Sequence, residues 1–232
     1  MKKGLTLAIG AHCGDVEITS AAVLAKQRNL GDEIAILHMT LGERGNKELP
    51  PSKYAEQKRK EALAAGRVLG AEVIFAPYAD GELPYNDEAV GIVSEVIREL
   101  KPTTIITHWR RSIHRDHSLT HTISMDAILL AVLEGVKSKY SENKNLQGIF
   151  FAENWEDKDE FNPYVYYDVS DTIKDWERCV RKYQLFRGGV SDFAYFSYYK
   201  SLFKLRGCES GVDYACCFDI EAINKKMKIN SF

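Results

Sequence analysis

Five short apolar runs rich in β-branched residues recur along the first two thirds of the chain, and each of the first four leads to a helical pattern. The runs are Leu5–Ala11, Glu33–Met39, Glu72–Ala76, Thr103–His108 and Gly148–Glu153. Unbroken apolar runs of this length suit strands covered on both faces. Helical spacing fills the intervals over 17–29, 53–69, 87–101 and 117–133. Gly31 and Gly70 stop the first two of these helices, Asn86 or Asp87 can cap the third, and Pro102 precedes the fourth strand. Connections of this length allow parallel pairing with right-handed crossovers. The expectation is an α/β fold: a mostly parallel sheet with helices on both faces.

Beyond residue 150 the pattern loosens. Asn154–Asp159 is polar and turn-like, Tyr164–Val169 reads as a strand, Asp171 can cap a helix after it, and an aromatic helix spans Phe193–Arg206. No repeat, low-complexity tract or linker divides the chain, so residues 1–232 are read as one domain. A hydrophobic content of 45% over 232 residues supplies an ample core without staples. The net charge of −2 gives no bulk attraction to nucleic acid or an anionic membrane. The longest apolar stretch, near Ala127–Leu133, is too short to span a bilayer. The chain opens Met-Lys-Lys-Gly without the apolar core of a leader, and its five cysteines contain no C-x-x-C pair. Reduced thiols in the cytoplasm are therefore expected.

Two clusters carry the chemistry: Ala11-His12-Cys13-Gly14-Asp15-Val16-Glu17 and His114-Arg115-Asp116-His117. Each follows a predicted strand, at the carboxyl end where open α/β sheets gather their ligands. His12, Asp15 and His117 together make a two-imidazole, one-carboxylate set. That leaves coordination positions open, as a catalytic divalent-metal site requires. Among the other imidazoles, His38 inside a strand reads as an interior residue, His121 as a group outside the ligand set, and His108 as a pocket residue at its strand's end. The Gly10–Gly14 stretch lacks the spacing of a dinucleotide fingerprint.

The A-H-x-x-D-x-E segment at 11–17, the Thr40-Leu41-Gly42-Glu43 loop, the Leu69-Gly70 helix end and His114-x-Asp116-His117 together resemble the PIG-L/LmbE family of metal-dependent N-acetylglucosaminyl de-N-acetylases. The resemblance runs over most of the chain. It implies a Rossmann-like fold with an elaborated C-terminal part, zinc held by His12, Asp15 and His117, and a small amino-sugar substrate. It also implies His114 as acid and oxyanion stabiliser with Asp116 orienting it, and a homo-oligomer, since relatives commonly assemble. Iron(II) or another divalent ion is an alternative to zinc.

The departures from the family pattern bear on mechanism. Cys13 and Gly14 stand where the family has Pro and the Asp that serves as general base. Lys58, or its neighbour Arg59, stands for a common Arg that meets substrate oxygens, and Tyr214-Ala215-Cys216-Cys217-Phe218 replaces Tyr-Ala-Glu-Ala-Phe. Three outcomes stay open: another carboxylate (Glu17, Glu43 or Asp80) serves as base, His114 performs both proton transfers, or the site binds metal and a sugar-like ligand without turnover. Cys13 as a fourth ligand competes with a simple packing role. Glu43, Lys58, Asp80, Trp109 and Trp155, with Tyr85, are expected to rim the substrate pocket. Gly14→Asp is the substitution that separates a lapsed base from a different mechanism.

Overall fold

All five predicted parallel runs lie side by side in one sheet. The computed structural model describes residues 4–188 and 190–226. In it β1 (Leu5–Gly10), β2 (Glu33–Thr40), β3 (Glu72–Tyr78), β4 (Thr104–Thr107) and β5 (Gly148–Ala152) pair in parallel. Met1–Lys3, part of the segment read as leaderless, lie outside the described residues. The sheet order is β3-β2-β1-β4-β5-β7-β6. β6 (Val165–Asp168) and β7 (Ala215–Asp219) run antiparallel at one edge. The fold is α/β with a mostly parallel sheet, as expected.

Residues alternate between two cores. Leu7, Ile9, Ala35, Leu37 and Ile105 point to one face, where α3 (Asp87–Leu100) and α4 (Arg115–Val132) cover them with Val93, Ile97, Ile123 and Ala127. Ala8, Ile34, Ile36 and Ile106 face α1 (Asp15–Asn29) and α2 (Pro51–Leu69) on the other. α1 is buried along Val16–Ala25 because α5 (Ile173–Val180) closes over its outer side. Trp176 of α5 anchors that layer, its indole N–H donating to the Ile18 carbonyl at 2.9 Å. The C-terminal part completes this side with α6 (Gln184–Arg187) and α7 (Tyr195–Ser210).

One local expectation needs correction, and two elements went unread. Asp171 does not cap α5; Thr172 precedes that helix, and the Thr172 hydroxyl donates to the Ala22 carbonyl instead. α6 and β7 went unread, the first because four residues carry no periodicity, the second because all five of its residues are buried.

The chain winds outward through β2 and β3, then returns to place β4 on the other side of β1. This reversal opens a crevice at the carboxyl ends of β1 and β4, the place where open α/β sheets bind ligands. Both histidine clusters enter it, on the loops leading to the N-termini of α1 and α4.

Candidate metal centre

The turn after β1 is built around Gly14, which caps α1 with φ +112°. This left-handed geometry is where a residue without a Cβ carries no strain. Glu17 braces the turn from behind: its Oε2 accepts the Gly14 N–H at 3.1 Å and its Oε1 accepts the Tyr183 hydroxyl at 2.6 Å. Asp15 then begins the helix, where the positive end of the helix dipole favours its carboxylate.

Asp15 Oδ2 lies 3.1 Å from His12 Nδ1 and 3.3 Å from His117 Nε2. Donors bonded tetrahedrally to a small divalent ion at ~2.0–2.1 Å stand about 3.3–3.4 Å apart, and Asp15 Oδ2 keeps close to that separation from each of the two imidazoles. The opposite nitrogens face acceptors. His117 Nδ1 donates to Asp157 Oδ1 at 2.9 Å, which leaves the Nε2 lone pair turned inward. His12 Nε2 lies 3.2 Å from Asp80 Oδ1 and 3.6 Å from Asp116 Oδ2, which places its proton on that side. Carboxylates behind metal-binding imidazoles fix the tautomer in this way.

Titration follows from these contacts. Burial works against the His12 and His117 imidazoliums, but the facing carboxylates outweigh it and raise His117 to about 10 and His12 well above its ordinary value. Burial likewise opposes the Asp15 carboxylate, yet His117 and His12 hold it well below the usual range. With no ion present these imidazoles hold protons against the carboxylates, and a divalent cation would bind by displacing the inward-facing protons.

Two sets of three donors that share members with this trio lie within 4.8 Å of one another: His12, His114 and His117, and Asp15, His108 and His117. The second is disfavoured because His108 Nε2 already accepts the Ala11 N–H at 3.0 Å while its Nδ1 donates to Asp157 Oδ2 at 2.9 Å. A third cluster, His12 with Asp80 and Asp116, consists of the groups that orient His12.

His114 caps α4, its Nδ1 accepting the Asp116 backbone N–H at 3.3 Å. The proton therefore sits on Nε2, available to donate into the cavity. Burial, with His12 and His117 nearby, pushes this imidazole below its ordinary pKa and keeps it neutral. Asp116 acts here through its backbone, which corrects the expectation that its side chain orients His114. The Asp116 carboxylate accepts the Gly81 N–H at 2.7 Å and faces His12.

The remaining candidates divide. His12, Cys13, Asp15, Lys58, Asp80, His114, His117 and Trp155 line one cavity of about 150 Å³. Trp155 stacks on Phe193 at 4.4 Å as an aromatic wall. Glu17, fully buried behind the turn, is not placed to reach water in the cavity. Glu43 is withdrawn too, its Oε1 accepting the Asp80 N–H at 2.9 Å and so pinning the Asp80 loop. Trp109 and Tyr85 do not belong to the lining. The Trp109 indole is buried between Phe151 and Phe161 and donates to the Asp159 carbonyl, while the Tyr85 hydroxyl binds Asp126. Lys58 donates to the Cys13 carbonyl and lies 5.1 Å over the Tyr183 ring, a buried ammonium at the edge of the Gly14 turn. The Cys13 thiol points to the Thr40 carbonyl, and burial raises its pKa, so it packs as a neutral thiol.

Sequence reasoning missed Asp157 and Glu156. Both lie in the polar Asn154–Asp159 run, whose composition reads as an exposed turn. Chain closure buries Asp157 completely and lets one carboxylate serve both His108 and His117. Glu156 lines the cavity with Oε2 3.7 Å from His117 Nε2, and burial raises its carboxyl pKa.

Fold and site together define an α/β protein with a histidine–carboxylate cluster that could hold a metal ion at the switch point of its sheet. The sequence profile described as GlcNAc-PI de-N-acetylase, PIG-L, matches residues 7–128, and the chain belongs to this family. It is 25% identical over 139 residues to a 4-oxalmesaconate hydratase of Pseudomonas putida, covering 56% of this chain and 54% of that protein. It is 29% identical over 147 residues to a mycothiol S-conjugate amidase of Streptomyces coelicolor, covering 52% and 50%. These matches span about half the length of each relative. A conserved protein of Thermus thermophilus superimposes with a TM-score of 0.80 at 26% identity, over 93% of both chains.

Proposed function

We propose that this chain is a metal-dependent hydrolase that cleaves the N-acyl bond of an N-acetylated amino sugar or a related conjugate. The observation that carries the reading is Asp15 Oδ2 set between His12 Nδ1 at 3.1 Å and His117 Nε2 at 3.3 Å, with a carboxylate facing the far nitrogen of each imidazole. Family membership and the amidase relative support the same chemistry. The nitrogen and oxygen donors suit zinc, with iron(II) as the alternative. When bound, such an ion polarises the acyl carbonyl and activates water.

His114 supplies an Nε2–H to the oxyanion that develops as the carbonyl is attacked, the kind of preorganised donor that lowers an acyl-transfer barrier. Asp157 holds His117 through a hydrogen bond to Nδ1, and Asp80 faces His12 Nε2 at 3.2 Å. Trp155 and Tyr195 offer aromatic faces to a sugar ring on the opposite wall. Free thiols at all five cysteines support action in a reducing compartment such as the cytoplasm. Among the described residues no helix is long and apolar enough to cross a membrane. One domain across 1–232 and assembly into a homo-oligomer complete the reading.

The test is direct. Purified protein, with and without added zinc, is given N-acetylglucosamine conjugates and acetate release is measured. His117→Ala should lose both stoichiometric zinc and the release; a variant that keeps hydrolysing overturns the ligand assignment.

A second reading rests on Lys58 beside Gly14. A buried ammonium next to a position without a carboxylate suits an acidic substrate, and the hydratase relative points to water addition across a carbon–carbon double bond. Turnover of unsaturated oxo-acids, with no acetate released from any conjugate, would favour it over hydrolysis.

A further inference from the structure

The place of the family's usual base is closed in this chain. A Cβ built on Gly14 would stand 3.0 Å from the Phe186 ring and 3.7 Å from Lys58 Nζ, and the backbone there has φ +112°. Of the carboxylates considered from sequence, Glu17 and Glu43 are tied behind the site and Asp80 faces His12 Nε2. Asp116 and Asp157 are likewise held against imidazoles and backbone N–H groups.

Glu156 differs from all of them. Its Oε2 lies 3.7 Å from His117 Nε2, the nitrogen turned toward the ion's place, and no closer partner among the described residues holds this carboxylate. Its side chain keeps 20% exposure, and its residue lines the same cavity as His12, Asp15 and His114. The backbone holding it is fixed at both ends of the residue. The Glu156 N–H donates to Asn154 Oδ1 at 3.1 Å, and its carbonyl accepts the Ile113 N–H at 3.1 Å and the Ser112 hydroxyl at 3.3 Å. Those last bonds tie it to the loop that carries His114.

We propose that Glu156 is the catalytic base of this chain, supplied from the loop after β5 in place of the carboxylate missing at Gly14. The inference rests on the hydrolase reading above. As the water oxygen bonds to the acyl carbon, one water proton passes to the Glu156 carboxylate and the carbonyl electron pair moves onto oxygen, where His114 Nε2–H meets it. The oxyanion then collapses and the C–N bond breaks. The leaving nitrogen takes its electron pair together with the proton from Glu156, giving a carboxylic acid and a free amine.

The experiment compares the full-length protein with Glu156→Gln in three measurements: zinc affinity by chelator competition, affinity of the zinc-loaded protein for acetohydroxamate, and acetate release from N-acetylglucosamine conjugates. Acetohydroxamate probes the base without turnover, because its N–OH proton passes to a neighbouring carboxylate when it chelates. Expected are unchanged zinc affinity, acetohydroxamate binding weakened about ten-fold or more, and acetate release lowered by about 10²–10⁴-fold. Glu156→Asp should recover part of both losses. Unchanged acetohydroxamate affinity in Glu156→Gln overturns the proposal, as does a collapse of zinc affinity, which would make Glu156 a ligand. Weakened acetohydroxamate binding in a protein whose wild type releases no acetate would support Glu156 and overturn the hydrolase reading alone.

Discussion

Gly14 shows how one residue redirects a site. The sequence marks it as a lost carboxylate, and restoring Asp there looks like a repair. The structure makes it a poor one, since a side chain at φ +112° costs about 1–3 kcal/mol and this one would also press on Phe186 at 3.0 Å. Gly14→Asp should therefore lower stability by that amount in urea denaturation without raising acetate release; a gain of activity in a stable variant would show that Phe186 yields. His12, Asp15, His114 and His117 were legible as a group because motif spacing identified them. Asp157 was not, because its partners lie 40 and 49 residues away and no local pattern distinguishes a buried acid from a solvated one. Trp109 misled for the converse reason: an aromatic beside a motif looks like a pocket wall, whereas Phe151 and Phe161 claim it for packing.

Among the elements, the parallel strands and their helices could be read from period and punctuation, since β1, β2 and β4 are apolar runs buried almost throughout, α2 ends at Gly70 and Gly31 follows the Leu30 end of α1. β7 could not. Its Ala-Cys-Cys-Phe-Asp sequence is buried throughout, and its antiparallel place between β5 and β6 depends on chain return rather than local signal. The junction of α7 with β7 rests on close backbone approach at Gly207, where a Cβ would stand 2.7 Å from the Asp213 carbonyl carbon and oxygen. Backbone cannot step aside as a side chain can. Gly207→Ala should cost about 1–3 kcal/mol, read as a lowered urea midpoint with unchanged slope, despite alanine's better helix propensity. A neutral or stabilising result would mean that the α7–β7 turn is loosely held.

At the scale of the whole molecule, buried phenols set the alkaline limit. Burial lifts Tyr183 and Tyr199 well above the ordinary tyrosine value near 10, so the native state keeps protons that the unfolded chain gives up. Their contribution to stability is complete below about pH 10 and is lost as the pH rises through their folded values. Each phenol steepens the decline by up to about 1.4 kcal/mol per pH unit. Urea midpoints measured across this range should fall steeply in the wild type and less steeply in Tyr183→Phe/Tyr199→Phe; identical slopes would refute the assignment.

The loop bonds from Ile113 and Ser112 to the Glu156 carbonyl have an evolutionary consequence. They couple two surface segments into a single mechanical part, so an insertion in either one would shift an imidazole and a carboxylate together. A change of length or register in one segment alone should therefore displace the site's imidazole and carboxylate as a unit, unless the other segment shifts to match.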